Sequence, residues 1–477
     1  MGQGEKGLHS VFENKTLESI YAEIRGVYLA DKRPWVIGFS GGKDSTTALQ
    51  LIWKALSELP HEQRQKTVFV ISSDTLVETP IIVNYIDTTL QRINTEAVSQ
   101  LMPFKAAKVS PVVEETFWVN LLGRGYPAPS NRFRWCTERM KVRPADRFIM
   151  EKVAEFGEVV VVLGVRKGES MTRDQVLALR RIKGSLLSTH STLSHAYVYT
   201  PVVEFSVDDV WQYLLQVPSP WGNSNRDLAA MYKSANAGEC PLVVDTTTPS
   251  CGNSRFGCWV CTVVDKDKSM EALVDNGEEW LLPLLEFRDL LAETQDPAKK
   301  HRFREYRRRD GKVWMTTTGD IVRGPYRLDV CRDFLRKLLI IQEKIRREKK
   351  LAGFTVITME ELREIRRIWR TERQDWDDSV PRLYREVTGE ESDWLRDDTP
   401  VYRENDSHLL EEACKEGDVP TELVAKLLDM ERDLHGMLRR SNIMGKLDGI
   451  LRQEWDSEED VLRRIEAQKQ QRAEGVE

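Results

Sequence analysis

The sequence has no apolar run long enough to cross a membrane, and it has few cysteines. Its 477 residues include 7 cysteines, too few for a disulfide framework in a chain of this size. The apolar run at residues 158–165 is only as long as a strand, whereas a membrane helix needs roughly 18 residues. Residues 1–6 lack the apolar core of a signal peptide. We therefore expect a cytoplasmic protein with no membrane partner.

Neither sign of charge dominates, and no internal repeat is visible. Lys and Arg number 70 against 76 Asp and Glu, which gives a formal net charge of −6. This balance does not indicate a nucleic-acid partner, although a local basic face can exist within an acidic total. The hydrophobic fraction of 40% and the charged fraction of 31% are those of a folded, soluble chain. At this length we expect two or three domains.

Strand-like and helical patterns alternate in the first half of the chain. Apolar strand-like runs lie at residues 35–40, 67–72 and 159–165. Helical patterns lie at residues 45–56, 80–93 and 144–156. Alternation of this kind is typical of βαβ crossovers around a mostly parallel sheet. We therefore expect the α/β fold class, with a doubly wound sheet within residues 1–217.

The remainder of the chain has a different character. Residues 218–325 combine weak periodicity with Pro, Gly and clustered cysteines, and we expect a cysteine-rich, basic insert there. Apolar residues recur at three-to-four spacing over residues 328–347, and Thr358 followed by Glu361 forms a capping box. We therefore expect a helical, highly charged region over residues 326–477.

A glycine-rich loop follows the first strand-like run and leads directly into a helical pattern. Glycines let backbone amides approach an anion, the helix N-terminus adds positive potential, and Lys43 adds a full charge. The spacing is not that of a Walker A loop, because Asp44 stands where Ser or Thr should follow the lysine. The alternative is a packed strand-to-helix turn that binds nothing. The loop residues are Ser40, Gly41, Gly42, Lys43, Asp44, Ser45 and Thr46.

The Ser-Gly-Gly-Lys-Asp-Ser form of this loop resembles that of the PP-loop ATP pyrophosphatases, which share the adenine nucleotide alpha hydrolase-like fold. The resemblance implies that residues 40–46 bind the β,γ-pyrophosphate that leaves when ATP adenylylates a substrate oxygen. Lys43 and Asp44 would then be catalytic residues. It also implies that ATP is bound with Mg²⁺, which Asp44 or Asp74 could help to place.

Four further segments are similar to the PAPS reductase branch of this superfamily. They lie at residues 73–79, 136–144, 164–170 and 201–214. The resemblance implies that Asp74 lies where the second strand contacts adenosine. It also places Gly164, Arg166 and Arg173 at the carboxyl edge of the sheet, where guanidinium groups can bind phosphate oxygens in pairs. For the two arginines, surface salt bridging is the alternative.

Four cysteines cluster in the insert, namely Cys240, Cys251, Cys258 and Cys261. Zinc and iron-sulfur clusters both accept four thiolates, and unliganded thiols are the third possibility. The spacing lacks the paired knuckles of a zinc ribbon, which favours a 4Fe-4S cluster. The two cysteines Cys331 and Cys414 fall in helical patterns and are expected to be small buried hydrophobes.

Cys136 complicates this ligand set. In related APS reductases the matching segment supplies cluster ligands, so the resemblance allows Cys136 to join Cys258, Cys261 and one further cysteine. The other possibility is that Cys136 is a catalytic, sulfur-carrying nucleophile beside the nucleotide. Its basic neighbours would favour the thiolate if they converge on it. These neighbours are Arg132, Arg134, Arg139 and Lys141.

The order of motifs extends the resemblance over most of the chain. The core is followed by the cysteine pair and then by Gly324-Pro325-Tyr326-Arg327-Leu328, which enters a helical pattern. To about residue 347 the chain resembles the DNA phosphorothioation sulfurtransferases, the C proteins of Dnd systems. Residues 302–309 interleave arginines with aromatics, as nucleic-acid surfaces do. A solvated helix face is the alternative for that segment.

This last resemblance implies a function and partners. ATP would adenylylate a DNA backbone phosphate, and sulfur from a cysteine desulfurase would replace a non-bridging oxygen. Other subunits of a DNA phosphorothioation complex, part of a restriction-modification system, would be partners. Two alternatives stay open: sulfonucleotide reduction or RNA thiolation by the same core, and an ATP-sensing adaptor without catalysis. The intact loop at residues 40–45 argues against the adaptor.

Overall fold

The computed structural model describes residues 10–168, 175, 178–235, 257–349, 353–394, 402, 404–434 and 443–474. The chain divides into two compact units. The first combines Met1–Val112 with Asn131–Leu285, and the second combines Val113–Ser130 with Glu286–Glu477. The domain boundaries expected at residues 217 and 325 stay predictions, because compactness does not test independent folding. Among the helices of the described residues, none has the length and apolar character needed to span a membrane.

A mostly parallel sheet lies in the first unit, and it confirms the predicted α/β fold class. Its six strands, within the described residues, run in the order β3-β2-β1-β4-β6-β5. Trp35 pairs with Val68 on one side and with Val160 on the other, both in parallel register. Only the short pair β5 and β6 is antiparallel. The strands are β1 (Trp35–Gly38), β2 (Val68–Ser73), β3 (Phe104–Val109), β4 (Val159–Val162), β5 (Ser188–Thr189) and β6 (Ala196–Tyr199).

Helices connect these strands and follow them. A π-helical segment, Glu138–Val142, joins α4 to α5. The helix predicted at residues 45–56 begins two residues earlier, so that it starts at Lys43 of the glycine-rich loop. The helices are α1 (Leu17–Leu29), α2 (Lys43–Ser57), α3 (Pro80–Ser99), α4 (Trp135–Thr137), α5 (Arg143–Phe156), α6 (Val207–Gln216), α7 (Asn225–Ala235), α8 (Lys268–Asp275) and α9 (Leu282–Glu293).

Both faces of the sheet are buried. Successive strand residues point to opposite faces, and β1 shows the result: Trp35 and Ile37 join a large apolar cluster with α2. Val36 joins a separate cluster with Ile149 of α5. A parallel strand covered on both faces needs a continuous apolar run, which explains why Val159–Val162 is valine throughout. This arrangement confirms the doubly wound sheet.

The second unit is helical, as the sequence predicts for the C-terminal region. The capping box at the start of α11 is present: Thr358 Oγ1 accepts a hydrogen bond from the Glu361 amide at 3.2 Å, and the Glu361 carboxylate accepts one from the Thr358 amide at 2.9 Å. The helices are α10 (Leu328–Lys349), α11 (Met359–Glu372), α12 (Ser379–Thr388), α13 (Glu404–Glu416), α14 (Thr421–Leu434), α15 (Ile443–Leu451) and α16 (Glu458–Glu474).

A segment from between β3 and α4 belongs to this helical unit. The indole of Trp118 is completely buried and donates to the Val356 carbonyl at 2.8 Å. Trp369 of α11 donates in turn to the Leu122 carbonyl at 2.8 Å. Residues 113–130 therefore leave the α/β unit in the middle of its chain to complete the core of the helical unit.

Candidate functional site

The glycine-rich loop lies between β1 and the first turn of α2. Gly41 has a φ of +73°, a left-handed conformation that favours glycine. A Cβ atom on Gly41 would also lie only 2.5 Å from the Ile86 side chain. Gly42 is the N-cap residue of α2 and provides no side-chain cap. The first amides of this helix are therefore left to a partner from outside the helix.

Two hydroxyl groups of the loop, those of Ser45 and Thr46, differ in their hydrogen bonding. Ser45 Oγ accepts a hydrogen bond from the Ser40 amide at 3.2 Å and donates to the Gly42 carbonyl at 3.0 Å. These bonds fix the loop conformation. The Thr46 hydroxyl is buried and has no hydrogen-bond partner within the described part of the chain. An unsatisfied buried hydroxyl is uncommon, and a phosphate oxygen at the loop would be a suitable acceptor.

The Asp44 carboxylate lies between two cations. One of its oxygens is 2.9 Å from Lys43 Nζ, and the other is 2.6 Å from Nε of the buried Arg166. Arg166 follows β4, so this ion pair joins the ends of β1 and β4. The two cations are thereby held beside the first turn of α2, where a phosphate group would find both charge and backbone amides.

Gly164 brings the end of β4 against the same loop. A Cβ atom at this position would lie 2.7 Å from the Asp44 carbonyl oxygen, a distance that no side chain tolerates. The chain proceeds from β1 to β2 on one side and reaches β4 on the other, so β1 and β4 flank the switch point of the sheet. Open α/β sheets bind ligands in the crevice at the carboxyl ends of such strands.

The end of β2 lies along the same edge. Asp74 Oδ2 is 3.1 Å from Lys108 Nζ, and the Thr75 amide donates to the Glu78 carboxylate at 3.1 Å. Burial raises the pKa of Glu78 above its ordinary value, and the nearby Asp74 carboxylate adds to the shift. The Thr75 side chain is fully buried, and its hydroxyl reaches the segment that contains Cys258.

Cys258 is attached directly to the end of β2. Its Sγ atom is 3.2 Å from Thr75 Oγ1, and the Trp259 amide donates to the Val77 carbonyl at 3.0 Å. Burial raises the pKa of the Cys258 thiol to about 12. The Cys261 amide donates to the Cys258 carbonyl at 3.0 Å, which closes the Cys-x-x-Cys turn. The cysteine pair thus lies at the carboxyl edge of the sheet.

Cys136 lies close enough to this pair to interact with it electrostatically. Burial raises the pKa of its thiol, the interaction with Cys261 adds to this shift, and Lys141 opposes it. Whether the basic neighbours favour a Cys136 thiolate stays a prediction. The structure does bring Cys136 and Cys261 together across 125 residues of sequence.

Residues 34–263 match the model of the phosphoadenosine phosphosulfate reductase (PAPS reductase) domain. The match covers just under half of the chain, and residues 34–263 are called the PAPS reductase-like domain below. The chain is also 29% identical over 242 residues to an uncharacterised protein of Methanocaldococcus jannaschii, an alignment that covers 51% of this chain and 39% of that protein. The match thus spans about two fifths of the length of this relative.

Two solved structures are similar to parts of this chain at low identity. The PAPS reductase of Candida auris, in a phosphate complex, is 15% identical, with 47% of this chain and 88% of that chain covered and a TM-score of 0.30. The U34-tRNA thiolase NcsA of Methanococcus maripaludis, with its [4Fe-4S] cluster, is 11% identical, with coverages of 60% and 80% and a TM-score of 0.26.

The donor set for metals in the PAPS reductase-like domain is incomplete. Within the described residues, no three His, Cys, Asp or Glu side chains are arranged to hold a metal ion. Cys240 and Cys251, two of the predicted ligands, lie outside the described residues, as does Arg173. The carboxylates considered for Mg²⁺ each contact a cation already, Asp44 twice and Asp74 once. The residues present do not fit a magnesium site as they stand.

One residue of the site was missed by sequence analysis. Tyr232, on α7, accepts a hydrogen bond from the Lys43 amide at 3.2 Å, and its ring centre is 5.6 Å from Lys43 Nζ. It lies beyond the last family-like segment of the PAPS reductase-like domain, at residues 201–214. A tyrosine in an amphipathic helix is usually a packing residue, so the sequence carries no signal for this contact.

The arginine and aromatic segment at residues 302–309 lies in the second unit and has two different parts. The guanidinium of Arg304 donates to the Gly324 carbonyl at 2.7 Å, and Arg307 forms an ion pair with Glu422. These two arginines organise the unit. Arg308 and Arg309 are exposed, and Arg309 lies over the Tyr126 ring at 4.8 Å from its centre.

A cavity of about 460 Å³ lies beside this segment within the second unit. Six cationic and four acidic side chains line it. Four of the arginines form no salt bridge with a carboxylate among the described residues and instead contact carbonyl oxygens, a thiol or an aromatic ring. These are Arg124, Arg308, Arg309 and Arg373.

Proposed function

We propose that the PAPS reductase-like domain binds ATP and uses it to transfer sulfur to a phosphate of the DNA backbone. The observation that carries the proposal is the placement of Lys43, Arg166 and the uncapped N-terminus of α2 together at the switch point of the sheet. Backbone amides and fixed cations at a helix N-terminus suit a pyrophosphate group. The cysteine pair lies along the same edge, where sulfur is needed.

The reaction has two substitution steps. In the first, an oxygen of the substrate phosphate attacks the α-phosphorus of ATP, and the bond from the α-phosphorus to its bridging oxygen breaks. Pyrophosphate leaves with that electron pair, and Lys43 and the loop amides stabilise its charge. In the second step, a hydrosulfide-level sulfur attacks the activated substrate phosphorus. AMP leaves with the original oxygen, one proton is released, and a phosphorus-sulfur bond replaces a phosphorus-oxygen bond.

Asp44 acts through the two cations that it contacts. In the structure it holds Lys43 and Arg166 in place, and the incoming phosphate competes with it for both. A charge-assisted hydrogen bond from a guanidinium or ammonium is roughly twice as strong as a neutral one. A bound pyrophosphate would therefore contact Lys43 and Arg166, which are already in place, and would not require further cations.

The described cysteines do not complete a four-thiolate cluster. Cys136, Cys258 and Cys261 are not arranged as a metal site by themselves, and the other predicted ligands lie outside the described residues. The 4Fe-4S cluster therefore stays a prediction, and no step of the reaction above passes through it. What the described residues contribute is the position of Cys258, which Thr75 fixes at the end of β2.

Two features support DNA as the substrate. The order of motifs resembles the DNA phosphorothioation sulfurtransferases, and the cationic cavity of the second unit has four arginines that form no salt bridge with a carboxylate among the described residues. Guanidinium groups held by carbonyl oxygens remain able to contact phosphate through their other N–H groups. The partners proposed with DNA are a cysteine desulfurase and the other subunits of a phosphorothioation complex.

The test compares genomic DNA from cells that carry the parent gene, a Lys43→Ala variant or a Lys54→Ala variant. Nuclease digestion followed by mass spectrometry measures phosphorothioate dinucleotides. Loss of one preorganised donor lowers a rate by about 100-fold or more, so the Lys43 variant should lose nearly all phosphorothioate. Lys54 lies on the same helix away from the loop, and its variant should match the parent.

A second candidate is reduction of a sulfonucleotide, which the description of the matched family model favours. It predicts DNA free of phosphorothioate and release of sulfite from PAPS by the purified protein. Thiolated tRNA in place of either product would indicate the RNA reaction. Normal phosphorothioation in the Lys43→Ala variant would contradict the role of the loop.

A further inference from the structure

We propose that the Tyr232 hydroxyl occupies the position of a phosphate oxygen at the loop, and that bound pyrophosphate or ATP must displace it. The inference rests on the proposed nucleotide site and adds a residue that competes with the nucleotide there. Tyr232 is thus a positioning residue of the empty loop and sets the affinity of the loop for phosphate.

The first amide of α2 is the evidence for this position. The Lys43 amide is one of the donors that a helix leaves without an internal partner, and Gly42 offers no side-chain cap. The Tyr232 hydroxyl accepts this hydrogen bond at 3.2 Å. A Cβ atom on Gly42 would lie 3.0 Å from the same hydroxyl oxygen. The oxygen therefore lies against the loop backbone, where an anion bound by that amide would have to lie.

The side chain of Lys43 contacts the same residue. Its Nζ atom lies 5.6 Å from the centre of the Tyr232 ring, within the range of a cation–π interaction. With Asp44 on its other side, the ammonium is held by two groups that are not phosphate. Displacing Tyr232 thus frees both the amide and one face of the ammonium for an incoming anion.

The ring is placed by the packing of the helix that carries it. Trp211 contacts the Tyr232 ring edge to face, with 5.2 Å between ring centres. At the start of α7, Asn225 exchanges hydrogen bonds with Gln50 of α2 at 2.8 and 3.3 Å. Asn225 also donates to the Leu214 carbonyl at 2.8 Å. These contacts hold α7 along α2. The packing of the two helices therefore positions the Tyr232 hydroxyl against the loop.

The exchange is favourable because the two acceptors differ in charge. A phenol oxygen is a neutral acceptor, whereas a pyrophosphate oxygen carries negative charge and accepts a stronger hydrogen bond. Pyrophosphate must break the hydrogen bond between the Lys43 amide and the Tyr232 hydroxyl. The measured affinity for pyrophosphate is therefore lowered by the free energy of that hydrogen bond. A net hydrogen bond of this kind corresponds to about a twofold to tenfold change in a binding constant.

The test is calorimetric titration of the full-length protein with inorganic pyrophosphate. Tyr232→Phe keeps the ring and its packing but removes the acceptor, so we expect binding about twofold to tenfold tighter than in the parent. Tyr197→Phe is the matched control. Its hydroxyl contacts Glu158 at 3.1 Å, at the opposite edge of the sheet, and its affinity should equal that of the parent.

The outcomes separate this inference from the proposed function. If the parent binds pyrophosphate and Tyr232→Phe binds it equally well or more weakly, the Tyr232 hydroxyl does not compete with the bound phosphate. That result would overturn this inference and leave the proposed nucleotide site intact. Failure of parent and variant alike to bind pyrophosphate would overturn the nucleotide site itself. A merely structural role for the hydroxyl predicts a loss of affinity, never a gain.

Discussion

Asp44 shows how much a single carboxylate can organise. Its two oxygens contact the ammonium of Lys43 and the guanidinium of Arg166, which come from opposite sides of the switch point. Both cations are more than four-fifths removed from solvent, so the arrangement lies between an exposed ion pair and a fully buried one. The net stabilisation by such a pair is small, but removing one partner is expensive.

Replacing Asp44 with Asn therefore tests the residue directly. The variant keeps the size of the side chain but removes the charge that both cations face, and we expect the free energy of unfolding to fall by about 3 kcal/mol. Urea denaturation measures this change. Asp87→Asn is the control, because its pair with Lys108 is more exposed and should contribute at most about 1 kcal/mol. Equal losses in the two variants would show that burial at Asp44 has no special effect.

The chain that follows β4 lies close to the glycine-rich loop. Gly164→Ala places a methyl group 2.7 Å from the Asp44 carbonyl, where backbone meets backbone, and overpacking of this kind costs about 1–3 kcal/mol. We expect that loss of unfolding free energy together with weaker pyrophosphate binding. Gly26→Ala, in α1, is the control. Nothing lies within 4 Å of its Cβ position, and alanine should stabilise the helix by up to about 1 kcal/mol.

The elements found from the sequence are those with strong local patterns. The strands at Trp35–Gly38 and Val159–Val162 are apolar throughout and buried on both faces, so their predicted positions are confirmed within a few residues. Strand β3, Phe104–Val109, was missed because it is an edge strand whose exposed positions include lysines. Edge strands carry such charges to prevent further pairing, and the charges weaken the pattern that identifies a strand.

The candidate site was only partly predictable for a related reason. The loop residues are consecutive, so a local motif identifies them, and the structure places them between β1 and the first turn of α2. The contact of Tyr232 with Lys43 spans 189 residues, and that of Thr75 with Cys258 spans 183. No local pattern records such pairs, because they depend on how α7 and the cysteine segment pack onto the sheet.

On the scale of the whole molecule, a chain with a net negative charge needs a local basic surface to bind DNA. Within residues 302–309, three exposed arginines remain after Arg304 and Arg307 are assigned to internal contacts of the second unit. Changing all three to Ala should reduce the dependence of DNA binding on salt, by about 0.9 in logarithmic slope for each phosphate contact that is lost. Fluorescence anisotropy over a range of salt concentrations measures the slope. The three residues are Arg302, Arg308 and Arg309.

The control for this variant carries the same change in net charge. Three other arginines of the helical unit are exposed and lie outside the cationic cavity, and their replacement by Ala should leave the salt slope close to that of the parent. If both triple variants reduce the slope equally, the effect is one of total charge and not of a binding surface. The control residues are Arg385, Arg452 and Arg463.

The segment at residues 113–130 has a consequence for the order in which the protein is made. Trp118 finds its hydrogen-bond partner 238 residues later in the chain, and Leu122 finds Trp369 after 247. On the ribosome, this apolar segment therefore emerges well before the helices that cover it. Among the described residues, the last strand of the α/β unit ends at Tyr199, so the sheet can form while the segment is still uncovered. A transiently exposed apolar segment of this kind makes a folding intermediate prone to aggregation.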